Sequence, residues 1–448
     1  MGAIADELLS HMPDRTGYDV PHAEVRARQV AAINERFHEQ ADRIRIVRQR
    51  ADEAGIAEIR SLADVVPLLL PHTAYKSYPE SFLFDEKWDK LTRWLNTVSA
   101  HPTGNTDLAG ISGIDEWIDR LQAAGHYVSC SSGTTGKSAM LISSEADIAH
   151  GQQDLVNAVL WGADVQANAS RRFFSTAPVA KVPKNTMLGL GLFEAFARKD
   201  VAPFVSPAPA MTVGSITAAL VMRRKIADGT ATPGEIAAFD AEGAARAKGM
   251  ADAVDAVAEA IIAARDDELF LMGMWAGHYN VAKAVRDRGY SAKDFNPANA
   301  LFCSGGLKRA QVPDDYRQFV YETFNVAPER TFLSYGMQEI QSNMPQCPNG
   351  RYHVPAWLVC LPLNENGDVL LDADRGEITA RAAFFDLSID GRWGGVISGD
   401  CIRIDNRPCA CGNRSPSIAD TITRYADFKG DDKIGCAGTV DAYIRGMS

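Results

Sequence analysis

Ser131-Ser132-Gly133-Thr134-Thr135-Gly136-Lys137-Ser138 is the stretch on which the reading of this chain turns. It follows Tyr127–Cys130, a short run expected as a strand, and precedes residues 146–162, expected as a helix. Its glycines let the backbone turn tightly, so that consecutive N–H groups can surround a phosphate. The Ser and Thr hydroxyls add donors, and Lys137 adds positive charge. The G-x-x-x-x-G-K-[ST] spacing of a Walker loop is absent. A polar turn that holds no ligand is the plain alternative, and the rest of the chain has to decide between the two.

Outward from this loop the pattern alternates. Residues 21–60 carry Val25, Val30, Ile33, Phe37 and Ile44 at helical spacing between charged residues. The stretch from Pro67 to Pro79 breaks helix, and residues 114–124 are helical again. Phe173–Phe174, Val201–Val205 and residues 269–275 are short apolar runs expected as buried strands. Residues 234–265 form an Ala-rich helix, and another helix runs to Arg288. After residue 330 strand signals dominate: VCLPL and DVLL flank Asn366-Gly367, a hairpin signal, and ITARAAFF is a further strand. The expected class is α/β, with packed α/β subdomains and a β-rich C-terminal region. The expected divisions are a helical region at 1–110, an α/β core at 111–330 and the β-rich region at 331–448.

The chain has 448 residues and a formal net charge of −11, with no Lys/Arg block. That balance argues against nucleic acid, whose phosphates need a basic footprint, and against an anionic membrane surface. No run approaches the roughly 20 apolar residues that cross a bilayer. The N-terminal residues lack a signal-peptide pattern, and Asp6 stands where N-myristoylation needs Ser or Thr. The expected compartment is the cytoplasm, where eight cysteines point to metal or thiol chemistry, not to disulfides.

The loop resembles the phosphate-binding loop of the adenylate-forming superfamily, and the superfamily's other motifs follow in chain order. Cys303-Ser304-Gly305-Gly306-Leu307-Lys308 resembles the glycine segment that lies against adenine. Tyr335-Gly336-Met337-Gln338-Glu339 resembles the Tyr-Gly-x-x-Glu motif, whose Glu helps hold Mg²⁺. Ser398-Gly399-Asp400 resembles the Thr-Gly-Asp motif that binds ribose hydroxyls, and Arg424 the arginine that contacts the nucleotide. The resemblance implies ATP and Mg²⁺ as cofactors and a small carboxylic acid as substrate. The acid becomes an acyl-adenylate, with Lys137 and Glu339 as catalytic residues, and the acyl group passes to a thiol of CoA, of an acyl-accepting protein or of the chain itself. Adenylation alone, with capture by an amine or a partner enzyme, is the second reading. A non-catalytic nucleotide-binding scaffold is the third, and the presence of Glu339 and Asp400 speaks against it.

Within the superfamily the chain is most similar to the acyl-protein synthetase and phenylacetate–CoA ligase group. The features are Gly305-Gly306-Leu307-Lys308, Cys347 with His353, Pro408-Cys409-Ala410-Cys411-Gly412 and Lys433-Ile434-Gly435-Cys436-Ala437. Only 24 residues follow Arg424, so the mobile lid of acyl-CoA ligases is expected to be absent or reduced to a strip. Lys429 and Lys433 are candidate replacements for its lysine, against the plainer role of surface lysines. In the acyl-protein synthetase family a cysteine near the C-terminus relays the acyl group, which makes Cys436 the candidate here. Lys433 nearby favours thiolate, and the alternative is a small buried residue. Cys347, His353, Cys409 and Cys411 are candidate ligands of one structural Zn²⁺, against separate reduced thiols. Cys130, Cys303, Cys360 and Cys401 lie in apolar runs and are expected in the core. The resemblance also makes residues 271–279 the acyl pocket, with Met274, Trp275 and His278 beside Gly305 and Tyr335, and Gly273 leaving room. Plain core packing is the competing reading of that segment.

Overall fold

Apolar strands flanked by helices dominate the middle of the chain, and a large antiparallel sheet dominates its end. The computed structural model describes residues 2–104, 106–130, 138–307, 310–429 and 434, except the side chains of residues 428 and 429. Ser131, Ser132, Gly133, Thr134, Thr135, Gly136, Lys137, Lys308, Lys433, Cys436 and the side chain of Lys429 therefore lie outside the described residues. The chain divides into two units, Met1–Ala158 with Tyr335–Ser448, and Val159–Ser334.

In the second unit, strands Arg172–Ser175, Leu269–Gly273, Ala300–Cys303 and Thr331–Tyr335 run parallel in that order. Their near-continuous apolar sequences suit strands covered on both faces. Helices Pro233–Ala263, Trp275–Asp287 and Tyr316–Phe324 supply cover, burying Val257, Ile261, Val281, Val285, Val320 and Phe324 with Leu269, Leu271 and Leu301. The long helix starts on a capping box. The Glu235 N–H donates to the Thr232 hydroxyl at 3.3 Å, and the Thr232 N–H donates to the Glu235 carboxylate at 2.8 Å.

One expectation changes here. Val201–Val205 forms no strand: only Phe204 bridges to Phe174, and Val205 is 48% exposed. Pro203 and Pro207 cannot donate to a ladder, which limits pairing to that single bridge. Helix Pro183–Phe196 fills the interval between the two apolar runs.

In the first unit, helices His22–Gln40, Arg45–Ala54 and Ile114–Ala123 form where the spacing predicts them. The fully buried Arg36 donates to the Leu387 carbonyl at 2.6 Å, and Gln29 donates to the Ala356 carbonyl at 2.9 Å, so helix His22–Gln40 is docked on the β-rich region. The main sheet runs Leu358–Leu363, Ile378–Asp386, Gly395–Asp405, Ser417–Ala419, Arg351–His353. Leu70–Pro71 and Thr423–Arg424 also pair with Gly395–Asp405. Its core holds Leu358, Ala382, Phe384, Val396, Ile402, Ile404 and Ile418.

Asn366-Gly367 does sit in a turn, closed by a single bridge between Leu363 and Leu370, but DVLL does not extend it. The longer apolar run Ile378–Asp386 takes the pairing with Leu358–Leu363 instead. Tyr127–Cys130 pairs antiparallel with Met140–Ser143, a strand that the sequence reading did not anticipate. Among the described residues no helix is long and apolar enough to cross a membrane.

Candidate active site

A break in strand pairing presents Asp400. In the register of Ile378–Asp386 against Gly395–Asp405, Arg381 faces Cys401 while Ala383 faces Ile397. Three residues, Ser398, Gly399 and Asp400, therefore stand opposite Ala382 alone. The Ser398 hydroxyl donates to the Ala382 carbonyl at 2.9 Å, and the Arg381 guanidinium donates to the Ser398 carbonyl at 3.0 Å. Bulges of this kind re-aim side chains beside functional sites. Here the Asp400 carboxylate accepts the Tyr335 hydroxyl at 2.8 Å and lies 3.6 Å from Nε of Arg424, its cross-strand neighbour. Burial, reinforced by Asp400, pushes the Tyr335 phenol well above its ordinary range, so it remains a donor.

Glu339 follows four residues after Tyr335 and is partly exposed. Burial pushes its carboxyl up, while its own backbone, Lys76 and Arg392 pull the other way. Arg392 is fully buried and donates to the carbonyls of Glu339 at 2.9 Å and Ile142 at 3.0 Å. Burial lowers the Lys76 ammonium, and Glu339 opposes that shift. Two carboxylates ringed by cations and a phenol can hold a hard cation and accept hydroxyl groups. A carboxyl whose ionisation is penalised by burial is one that a bound cation returns to its charged form.

In the second unit, Ser304, Gly305 and Gly306 are exposed and Leu307 half-buried, directly after strand Ala300–Cys303. Ligands of open α/β sheets sit outside such carboxyl ends. The Ser304 N–H is held by the Gly273 carbonyl at 2.9 Å. Of the expected acyl-pocket residues, Met274 is half-buried, whereas Trp275 and His278 are core side chains. His278 Nε2–H donates to the Phe302 carbonyl at 3.2 Å, and Nδ1 accepts the Thr176 hydroxyl at 3.1 Å. Burial lowers its pKa to about 4, so the ring is neutral near pH 7. Gly273 does not leave room for a ligand. A Cβ there would meet the Thr176 hydroxyl at 2.2 Å, so the glycine admits Thr176 instead.

Cys347, His353, Cys409 and Cys411 are brought together, their ligand atoms all within 4.8 Å of one another. Cys303 and Cys360 are buried as expected, while Cys130 and Cys401 are only half-buried.

No family model and no curated protein sequence matches the chain. Among solved structures it is similar to 2-hydroxyisobutyryl-CoA ligase in its postadenylation state with R3-HIB-AMP. That match has a TM-score of 0.52 and 13% identity over 92% of this chain and 70% of the other. The open conformation of the same ligase, with 2-HIB-AMP and CoA, gives 0.51 and 12% over 92% and 72%. The chain has the fold of this ligase.

Within this fold, the segment after Glu339 rests on buried carboxylates that the sequence reading missed. Asp386 accepts the backbone N–H groups of Gln341 and Ser342 at 2.7 and 2.8 Å. Asp154 accepts the Asn343 backbone N–H at 2.7 Å, its side-chain amide at 2.8 Å and the Trp357 indole N–H at 3.1 Å. The Gln341 amide reaches the Asp147 carbonyl, and the Asp147 carboxylate takes the N–H groups of Ser144, Asp390 and Gly391. The one signal in sequence was charge inside an apolar stretch, FFDLSIDGRWGG, which holds Asp386, Asp390 and Arg392.

Asp154 yields a pH prediction. Burial raises its pKa to about 7, against the pull of Asn343 and Trp357. The unfolded carboxyl releases its proton near pH 3.9, so between about pH 4 and 7 the folded chain holds one more proton. This contribution to stability is full below about pH 4 and is lost as pH rises to about 7. From pH 5 to 8 the loss is about 2–3 kcal/mol. Denaturation curves at both pH values should fall by that much more in wild type than in Asp154→Asn. Equal slopes would remove the assignment.

Proposed function

We propose that the protein is a ligase that activates a carboxylic acid with ATP and Mg²⁺ and passes the acyl group to a thiol. The observation that carries this reading is the Ser398-Gly399-Asp400 bulge, with Asp400 between the Tyr335 hydroxyl and Arg424 and Glu339 in the same cationic surround. In this reading Asp400 accepts the ribose hydroxyls and Arg424 approaches the nucleotide from the neighbouring strand. Glu339 holds Mg²⁺, which neutralises phosphate charge when bound. Ser304–Leu307 is assigned to adenine and Ser131–Lys137 to the phosphates, both on the sequence resemblance alone.

The acid's carboxylate oxygen attacks the α-phosphorus and the bond to pyrophosphate breaks. A thiol sulfur then attacks the acyl carbon, AMP leaves with the bonding electrons, and the thiol proton goes to solvent. Both first reactants are anions, so positioning and charge neutralisation carry the step. The CoA contained in one solved structure of similar fold belongs to that ligase; here CoA, a carrier-protein thiol and Cys436 are the acceptors in question.

The test is ATP–pyrophosphate exchange with a panel of aryl and fatty acids. Exchange that requires both an acid and Mg²⁺ is expected for at least one acid. No exchange from folded protein that binds ATP would overturn the enzyme reading. With an exchanging acid in labelled form, a hydroxylamine-sensitive label on the protein that disappears in Cys436→Ser, while exchange persists, assigns the relay. Acyl-CoA formed without protein label assigns CoA as direct acceptor.

A further inference from the structure

We propose that Cys347, His353, Cys409 and Cys411 bind one Zn²⁺ that clamps two turns of the β-rich region and braces the sheet carrying Asp400. The four ligand atoms already lie within 4.8 Å of one another, and Cys411 Sγ is 3.3 Å from His353 Nε2. Zinc bonds of about 2.0–2.3 Å in a tetrahedron give ligand–ligand edges of about 3.6–3.8 Å, so a small contraction closes the set.

Three features show a site built for a metal and not a chance meeting of thiols. The first is the repetition of one turn. Cys347 N–H donates to the Arg351 carbonyl at 2.8 Å, and Gly350 N–H to the Cys347 carbonyl at 2.9 Å. Cys409 N–H donates to the Asn413 carbonyl at 2.8 Å, and Gly412 N–H to the Cys409 carbonyl at 2.9 Å. Each turn depends on a glycine at positive φ, +74° at Gly350 and +98° at Gly412. The same backbone form thus presents a cysteine from each side.

The second feature is the histidine's tautomer. The Ser415 hydroxyl donates to the Tyr18 carbonyl at 2.7 Å, so it must accept from His353 Nδ1–H at 2.9 Å. That leaves the Nε2 lone pair facing the thiols. A ligating histidine ordinarily has its other ring N–H fixed in this way. The third is burial. Cys347, His353 and Cys409 are each less than a tenth exposed, which removes competing water. Three sulfurs and one imidazole suit Zn²⁺, and four protein ligands leave no open position, so the site is structural.

The brace reaches the candidate active site through the sheet. His353 pairs with Ser417, and the strand of Ser417 pairs with Gly395–Asp405, which carries Asp400. Tyr352, beside His353, packs against the Tyr335 ring with centroids 6.0 Å apart.

Elemental analysis of the purified full chain should find one zinc per molecule. Cobalt exchanged into the site should give the visible bands of tetrahedral Co²⁺ with a thiolate charge-transfer band. Ser415→Ala keeps all four ligands, and it should lose zinc to a chelator roughly tenfold more readily, the lower end of effects from groups that orient ligands. Cys409→Ser should lose the metal and melt at lower temperature. Zinc-free protein with an unchanged melting temperature would overturn the proposal. So would an octahedral cobalt spectrum, or a disulfide among Cys347, Cys409 and Cys411 in protein purified under reducing conditions.

Discussion

Asp386→Ala is expected to lower the stability of the chain by on the order of 4 kcal/mol, enough to leave much of it unfolded at moderate temperature. The carboxylate is fully buried and collects five donors. One oxygen takes the N–H groups of Gln341 and Ser342. The other takes the Ser342 hydroxyl at 2.9 Å, and the N–H and hydroxyl of Ser388 at 3.0 and 2.6 Å. Alanine leaves these groups without an acceptor in a region closed to water, and each orphaned buried donor costs roughly 1–3 kcal/mol. The terms do not add fully, because the hydroxyls can turn toward each other; they lie 3.5 Å apart. Asp386→Asn keeps the shape but points an amide N–H₂ at donors, and it should cost about half as much. Urea denaturation of the three proteins measures this. A loss within 1 kcal/mol of wild type for Asp386→Ala would show that the segment after Glu339 is held by something else.

What could be read from the sequence, and what could not, follows from the range of the interactions involved. Helices such as His22–Gln40 and Pro233–Ala263 carry local signals: period, a capping box, a proline at the first turn. Strands Leu269–Gly273 and Ile378–Asp386 are visible because most of their residues are apolar. Val201–Val205 misled because composition does not say whether a ladder partner will accept two prolines. The Asn366-Gly367 turn was legible, but its continuation depended on competition with Ile378–Asp386, some ten residues further on.

The candidate site divides in the same way. Tyr335, Glu339, Asp400 and Arg424 stand in recognisable short motifs. The bulge that presents Asp400 is a property of two strands and is written in neither. Asp154 looks like an ordinary polar position on helix Glu145–Gly162 until Asn343 and Trp357 are seen to converge on it. Gly273 was read as space, although the space belongs to Thr176, nearly a hundred residues earlier. The four proposed metal ligands were identifiable by type, but their common geometry needed the pairing of Arg351–His353 with Ser417–Ala419.

Glu339→Ala and Asp400→Ala are expected to do the reverse of Asp386→Ala: each should remove most of the adenylation activity while the fold survives. Both carboxylates are partly exposed and anchor little. Loss of Asp400 frees the Tyr335 hydroxyl and a contact with Arg424, whose side chain is already 66% exposed. Glu339→Ala should cost no more than about 1 kcal/mol of stability, and Asp400→Ala about 1–3 kcal/mol for its one orphaned donor, less than the five donors lost in Asp386→Ala. In the proposed reaction each carboxylate makes a charge-assisted interaction needed in the transition state, and its loss should cost about 3 kcal/mol, roughly a hundredfold in rate. Pyrophosphate exchange at saturating ATP and acid reads the effect, with melting temperature as the control.

Glu339 carries an additional signature. Because burial raises its carboxyl, protons compete with Mg²⁺, and the apparent Mg²⁺ affinity of wild type should climb with pH until that carboxyl is fully ionised. Glu339→Gln should bind Mg²⁺ more weakly, need more of it for exchange, and show no such climb. Asp400→Asn, by contrast, should keep the climb and raise the ATP requirement. Near-normal exchange in Glu339→Ala, or an identical pH profile in Glu339→Gln, would remove the metal-holding role from Glu339. Near-normal exchange in Asp400→Ala would remove the nucleotide from the bulge on which the whole functional reading stands.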